Sequence, residues 1–361
     1  MRKAIYFAVT DESYPRNRRI RSYLANEAGY ELVVEAIDAS RGYARNAFHL
    51  AGVLFRNTAD VDVVILAEFS LQYAWIAWLV ARKSRALLVV DWFVGLHETR
   101  ILDYAPERAG SPSARVWQAI DRFAVKVADL LITDTEMRAR MLQTELGAKA
   151  LPIAIPVGAP DWARPDHTAV AVRHANSPLR ILYYGNYIPL HGLPNVIRAI
   201  GLLPEELDVR LTLVGGGRDR AEAEQLVENL GLSDVFTFVE PVGENDLLGI
   251  IRQHHVVLGI FGSSPKALSV IANKVWQGLA AGAVVVTQKS EALRKLRPLA
   301  GDLLQESTGG TPSAIAAILQ EIYGGEIDAP SQARRRTDRA LERYATAQLS
   351  NFAETLDRLR H

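Results

Sequence analysis

Short, nearly unbroken apolar runs alternate along the chain with longer stretches whose apolar residues recur every three or four positions. In the first half the runs are Lys3–Val9, Glu31–Ile37, Asp62–Ala67, Ala86–Val90 and Asp129–Thr133. They are β-branched and apolar at successive positions, as strands covered on both faces are. The intervening segments have helical spacing; in Ser113–Ala128 the apolar stripe is expected at Val116, Ile120, Phe123 and Val127. The second half repeats the scheme, with strands expected at Leu179–Tyr184, Val209–Val214, Val235–Val239, Val256–Phe261 and Ala283–Thr287. Strand–helix alternation of this kind predicts doubly wound parallel sheets.

Five prolines (Pro152, Pro156, Pro160, Pro165 and Pro178) with polar filler mark a linker between the halves. The predicted organisation is a first Rossmann-like domain over 1–160 and a second over 176–330. The tail carries Leu341, Ala345, Leu349, Phe352, Leu356 and Leu359 on one helical stripe, so 332–361 is expected to be a helix that joins the first domain. Two open α/β domains in succession predict strand carboxyl ends facing a shared cleft, where ligands bind.

Composition narrows the function. The chain has 361 residues with 41 Lys+Arg and 41 Asp+Glu, a net charge of zero that argues against coating nucleic acid. It has no cysteine, which removes thiolate metal ligands and thiol nucleophiles. The N-terminal apolar run is too short for a signal peptide, and the most apolar later stretch, Tyr73–Ala81, is far short of a membrane span. A cytoplasmic protein is expected, with at most peripheral membrane contact.

Three segments carry candidate chemistry. In 183–200, Gly185, Asn186 and Pro189 follow a strand, and His191 and Gly192 precede a helix. Glycines there admit a ligand to the backbone, and a helix N-terminus favours a diphosphate that His191 would donate to; an ordinary βα turn is the plain alternative. The Gly215-Gly216-Gly217-Arg218 loop lacks the G-x-G-x-x-G spacing, which counts against a dehydrogenase. In 260–287, Lys266 and Lys274 are placed to neutralise phosphate oxygens, and Asn273 and Gln277 to bond sugar hydroxyls; a solvated helix face is the alternative.

Taken in order, Gly-x-x-x-Pro-x-His-Gly at 185–192, the stretch LTLVGGGRDRAEAEQLVENLGLSDVFTFVEPV at 211–242 and Asn-Lys-x-x-Gln-Gly-x-x-Ala-Gly at 273–282 resemble the donor-binding half of GT-B glycosyltransferases of the retaining family 4 type, the group 1 glycosyl transferases. The resemblance covers roughly 179–323 well and the first half weakly. It departs at the family's Glu-x7-Glu pair, which falls on Ser269 and Gln277. It implies transfer of a sugar from a nucleoside diphosphate sugar, with retention, to a small-molecule or lipid-linked acceptor, with no cofactor and no metal ion. It assigns Gly185, Asn186, His191, Gly216, Lys266, Asn273, Lys274 and Gln277 to the donor. The missing carboxylates motivate a non-catalytic sugar-nucleotide-binding partner as one rival; a nucleotide-sugar epimerase or hydrolase on the same scaffold is another, for which the sequence shows few of the clustered acid–base groups it would need.

In the first half, Arg16 is expected to reach the diphosphate. Arg18, Arg19 and Arg21 read as a solvated cluster or a surface for anionic lipid heads. Asp91, His97 and Glu98 sit at a strand end where an acceptor or the transferred sugar would lie, with Asp91 and His97 the catalytic candidates and Asp91 alternatively a buried helix cap. Glu68 is a weaker candidate of the same kind. The eight histidines show no metal-ligand spacing.

Overall fold

A computed structural model describes residues 2–56, 58, 60–164, 177–325 and 331–360. Residues 165–176, which include Pro165 of the expected linker, lie outside the described residues. The chain forms two compact units, Met1–Val157 with Ala345–His361, and Gly158–Tyr344. The terminal helix is therefore divided between the units, whereas the whole of 332–361 was expected in the first domain.

In the first unit the order is β1 (Arg2–Val9), α1 (Pro15–Asn26), β2 (Tyr30–Ala36), α2 (Gly42–Ala51), β3 (Val63–Leu66), α3 (Ala74–Ser84), β4 (Leu87–Asp91), α4 (Pro112–Val127), β5 (Leu130–Thr133), α5 (Glu136–Glu145) and β6 (Ile153–Ala154). All pairings are parallel, in the order β2-β1-β3-β4-β5-β6. Alternate residues of each strand feed opposite cores. Ile5, Phe7, Val64, Leu66, Leu88 and Val90 pack with the helix carrying Ile76, Ala77 and Val80. Ala4, Tyr6, Val63, Ile65 and Val89 pack with Ile20 and Leu24 of α1 and with Leu349, Phe352 and Leu356 from the chain's end. Covering both faces explains the continuous apolarity of the strands.

In the second unit β7 (Leu179–Tyr184), α6 (Leu193–Ile200), β8 (Val209–Val214), α7 (Arg220–Asn229), β9 (Phe236–Val239), α8 (Glu244–Arg252), β10 (Val256–Leu258), α9 (Pro265–Ser269), α10 (Asn273–Ala280), β11 (Val284–Gln288), α11 (Arg297–Ala300), β12 (Leu304–Ser307) and α12 (Pro312–Gly324) precede the terminal helix α13 (Ser331–Arg360). The sheet order is β12-β11-β10-β7-β8-β9, again parallel throughout. The first half of α13 is held within this unit: Arg334 donates to the carbonyl of Gly282 at 2.6 Å, and Arg164 is ion-paired with Asp338 at 3.6 Å and with Glu342.

The ten predicted strands are present with small shifts at their ends, and two more exist. β6 is only two residues long and lies among the linker prolines; β12, Leu-Gln-Glu-Ser, is an edge strand whose middle residues are half-exposed. Neither offers the apolar run that betrays a covered strand. β10 stops at Leu258, short of the expected Phe261; Gly259 follows, where a Cβ would stand 2.6 Å from the Thr287 side chain. Ser111 caps α4 by accepting from the Ala114 amide at 3.2 Å, but the predicted stripe on this helix holds only for Ile120 and Val127, which are partly buried against the core. Val116 and Phe123 are exposed, and the buried face is Ala114, Asp121, Ala124 and Val125. Asp121 faces inward because it accepts from the Leu96 and His97 amides, so bulk was a poor guide to the inward side. On the terminal helix Leu341 to Leu356 are buried as expected, while Leu359 is exposed.

These faces predict opposite tolerances. Val116→Ser and Phe123→Ser should each change unfolding stability by no more than about 0.5 kcal/mol, whereas Ala124→Leu should cost about 1–3 kcal/mol by overpacking, as measured by urea denaturation.

Candidate functional site

In an open parallel sheet, ligands favour the carboxyl ends of the strands where the chain's direction of winding reverses. In the second unit this point lies between β7 and β10. Backbone bonds lock the loops there: Phe261 and Gly262 amides donate to the carbonyls of His191 (3.1 Å) and Leu190 (3.2 Å). Gly192 has φ +65°, and a Cβ there would stand 2.4 Å from the Phe261 backbone. The loops after β7 and β8 are equally close. Tyr187 N–H donates to Gly216 O at 2.8 Å, and Gly215, at φ +131°, would put a Cβ 2.2 Å from Gly185 O. Side chains larger than hydrogen cannot occupy these positions without moving backbone.

Beneath Gly185 lies Lys274. It is buried on the first turn of α10, and no carboxylate pairs with it among the described residues. Its Nζ stands 3.8 Å from the Tyr183 ring centroid and 3.4 Å from His191 Nδ1. Burial holds its ammonium well below the ordinary lysine pKa, and the ring face returns only part of the lost hydration. His191 is also buried; desolvation first and Lys274 second keep its pKa well below the usual imidazole value. The Asn186 carbonyl lies 2.9 Å from Nδ1 and also accepts from Tyr183 Oη at 2.8 Å. Tyr183 Oη also lies 2.8 Å from Nδ1, so whether this nitrogen donates to the Asn186 carbonyl or accepts from the Tyr183 hydroxyl and Lys274 depends on the tautomer of the neutral ring.

Lys266 is buried in the short helix α9 and contributes positive charge near His191. Ser269, at the first of the two family carboxylate positions, donates its hydroxyl to Lys266 O at 3.1 Å. Gln277, at the second, is buried one turn along from Lys274, and Asn273 opens the same helix half-buried. Asn186 is exposed and is engaged through its carbonyl. The predicted second-unit residues thus converge on one place. Tyr183 and Tyr184 belong to it too; Tyr184 Oη donates to Lys274 O at 3.3 Å. Both were expected only as strand residues, because a tyrosine in an apolar run gives no sign of which group its hydroxyl meets. A cavity of about 680 Å³ beside Ile318, Arg336 and Arg343 in the same unit has no candidate residue in its lining.

In the first unit the sheet reverses between β1 and β3, and a buried polar cluster sits there. Arg16 does not reach for a ligand. Its Nε and Nη2 bind both oxygens of Asp91 at 2.7 and 2.9 Å, Nη2 also donates to Thr133 O at 3.0 Å, and Nη1 donates to Ile155 O. Arg16 and Asp91 are both fully buried, so the expected roles of Arg16 at the diphosphate and of Asp91 at the acceptor are corrected to a clamp joining α1 to the ends of β4, β5 and β6. Burial works against the Arg16 charge, and Asp91 more than restores it. Glu68 accepts from Asn17 Nδ2 at 2.6 Å through one oxygen, while its other oxygen is buried without a partner. Desolvation, then the nearby Asp91 charge, push its pKa up to about 7. The backbone around it is unusual: Ala8, at a bulge in β1, and Phe69 have φ of +62° and +63°, and Ser70 Oγ donates to Ala8 O at 2.6 Å.

His97 lies apart from this cluster. Its amide and that of Leu96 donate to Asp121 at 3.0 and 2.9 Å, its Nε2 stands 3.2 Å from Gln118, and burial lowers its pKa. Glu98 forms a bidentate pair with Arg138 at 3.0 and 2.8 Å. Asp134, raised to about 6 by burial, adds a further carboxyl 3.6 Å from Arg138. Of the expected arginine cluster, Arg21 is tied to Asn17 and Glu12, and Arg18 is exposed. Among the described residues no group of three His, Asp or Glu side chains is arranged to hold a metal ion, and no helix is long and apolar enough to cross a membrane.

Two doubly wound parallel units of this kind define the GT-B fold. Residues 169–295 match the family described as glycosyl transferases group 1. It is similar to MMP alpha-(1->4)-mannosyltransferase of Mycolicibacterium hassiacum, with 23% identity over 264 residues that make up 73% of this chain and 56% of the relative. The chain thus matches little more than half of that protein's length. Its fold is similar to that of sucrose-phosphate synthase from Thermosynechococcus elongatus (TM-score 0.73, 15% identity, 99% of both chains). It is also similar to Anabaena HepE in complex with UDP (TM-score 0.67, 14% identity, 99% of this chain and 100% of that one); HepE has been crystallised with UDP-glucose as well.

The first-unit cluster yields two predictions. Arg16→Met, which leaves Asp91 buried and unpaired, should cost about 3–5 kcal/mol of unfolding stability in denaturant titrations. Glu68 has a folded pKa above its ordinary 4.5, so the folded state holds the extra proton and loses stability as pH rises from about 4.5 through about 7. Glu68→Gln should therefore raise Tm at pH 8 and leave it little changed at pH 4.5; equal shifts at both would contradict the assignment.

Proposed function

We propose that the protein transfers a sugar from a nucleoside diphosphate sugar to an acceptor with retention of anomeric configuration, the second unit holding the donor and the first the acceptor. The observation that carries this reading is Lys274: a fully buried ammonium with no carboxylate partner among the described residues, directly under the glycine that ends β7. A buried cation is costly unless an anion meets it. A diphosphate at the β7–β10 reversal would supply that anion, with Lys266 beside it and Gln277 and Asn273 in reach of sugar hydroxyls. UDP and UDP-glucose in HepE, a protein of the same fold, support a nucleotide sugar as the ligand class.

Catalysis on this reading is electrostatic. As the bond from the anomeric carbon to the diphosphate breaks, Lys274 and Lys266 stabilise the charge that gathers on the leaving oxygen, in a site already organised for it. That work would fall to side chains rather than a metal ion. His191 would gain its second proton as the diphosphate arrives and then donate from Nε2. Retention follows the family resemblance, and His97 remains the half-exposed first-unit candidate for the acceptor side. Ser269 and Gln277 in place of two carboxylates motivate the rival of a binding protein without turnover.

A nucleoside diphosphate should raise Tm, and Lys274→Met should abolish that rise while stabilising the free protein by about 1–2 kcal/mol, since it removes an unpaired buried charge at similar volume. The anion should also raise the pKa values of Lys274 and His191, so binding should take up protons and tighten as pH falls; calorimetry in buffers of different ionisation enthalpy measures this. No Tm rise with any nucleoside diphosphate would overturn the donor site. Binding without turnover on any acceptor would favour the binding protein, and sugar release from donor alone a hydrolase.

A further inference from the structure

We propose that one face of the first unit, formed by α2, the 3-10 turn after it (Gly52–Phe55) and α3, rests on an anionic lipid surface. The side chains themselves make the case. Phe48 is 84% exposed and Phe55 91% exposed, so both rings stand out from the surface instead of lining a groove. Arg41, Arg45, Phe48, Gly52 and Phe55 follow one another at steps of four, three, four and three, which puts them on one stripe of the helix and its 3-10 extension. Asn46, Leu50 and Val53 form the opposite, buried stripe. On α3, Trp75, Leu79 and Arg82 repeat the pattern at steps of four and three, and all three are exposed.

The two helices present these stripes together. Trp75 Nε1 donates to Tyr43 Oη at 2.9 Å at one end. At the other, Lys83 Nζ donates to Arg56 O at 2.8 Å and to Leu54 O. The charge of the face is one-sided. Residues 39–59 and 69–90 contain no Asp or Glu, yet they hold Arg41, Arg45, Arg56, Arg82, Lys83 and Arg85, in a chain whose total charge is zero. Arg41 and Arg56 are paired with Asp38 and Glu35, and Arg45 and Arg82 have no acidic partner among the described residues. Aromatic rings that protrude singly among cations suit a fluid interface, where the rings enter the acyl boundary and the guanidinium groups meet phosphates. Of the arginines of 16–21, the place the sequence suggested for such contact, Arg16 is buried and Arg21 is tied to Asn17 and Glu12.

This assignment is independent of the sugar-transfer reading, and its test uses no donor. The full chain is sedimented with vesicles of phosphatidylcholine alone and of phosphatidylcholine with phosphatidylglycerol. Binding to the anionic vesicles alone is expected, weakening with salt. Phe48→Ser with Phe55→Ser, and separately Arg45→Glu with Arg82→Glu, should each weaken binding by about tenfold or more. All four sites are exposed, so circular dichroism and Tm should be unchanged, which separates lost binding from lost folding. Equal binding to both vesicle types, no binding to either at low salt, or full binding by the serine variant would overturn the proposal.

Discussion

A parallel sheet covered on both faces concentrates polar chemistry at the carboxyl ends of its strands, and both units of this protein are organised by that constraint. The strands are apolar throughout because both faces are buried. Polar side chains that must be both held and used therefore collect where the strands end. In the first unit these are Arg16, Asp91, Glu68 and Asp134; in the second, His191, Lys266, Lys274 and Gln277. Each cluster carries more buried charge than an ordinary core accepts.

The two clusters resolve that charge differently. In the first, Arg16 meets a carboxylate and two carbonyls, and the pair fastens a helix to three strand ends. In the second, Lys274 meets a tyrosine face and a neutral histidine, neither of which carries negative charge. A closed ion pair holds structure together, whereas an open buried cation is a place for an anion. That contrast, and not the presence of basic residues as such, separates the structural cluster from the candidate donor site. The glycines at 185, 192 and 215 complete the second site by removing the Cβ atoms that would occupy the loops' close approach.

The same contrast explains which residues could be foreseen. His191, Lys266 and Lys274 were visible because each lies in a short segment whose order along the chain is distinctive. Arg16 and Asp91 were visible as chemistry but misjudged as ligands, since they are 75 residues apart and nothing local reveals that they bind each other. Tyr183, Asn17 and Asp134 gave no signal: each is an unremarkable residue until a distant partner arrives beside it. Val116 and Phe123 on α4 misled for a related reason, because Asp121 turns inward to meet the distant Leu96 and His97 amides, on the side that bulk alone would not choose.

From its residues alone, this protein determines two doubly wound halves, their strands and the three segments that carry the candidate site, because apolar periodicity and glycine spacing are local properties of the chain. Tertiary structure decided which charges are paired. Whether a guanidinium or an ammonium finds a carboxylate depends on contacts between segments 50 to 140 residues apart, and pairing is what makes Arg16 a clamp, while Lys274 meets no carboxylate among the described residues. It also decided where the neutral total of 41 against 41 divides locally: into a cation buried under the glycine loops, and into a basic, aromatic face on α2 and α3, which summed charge conceals because charges act over distances in space and not along the chain.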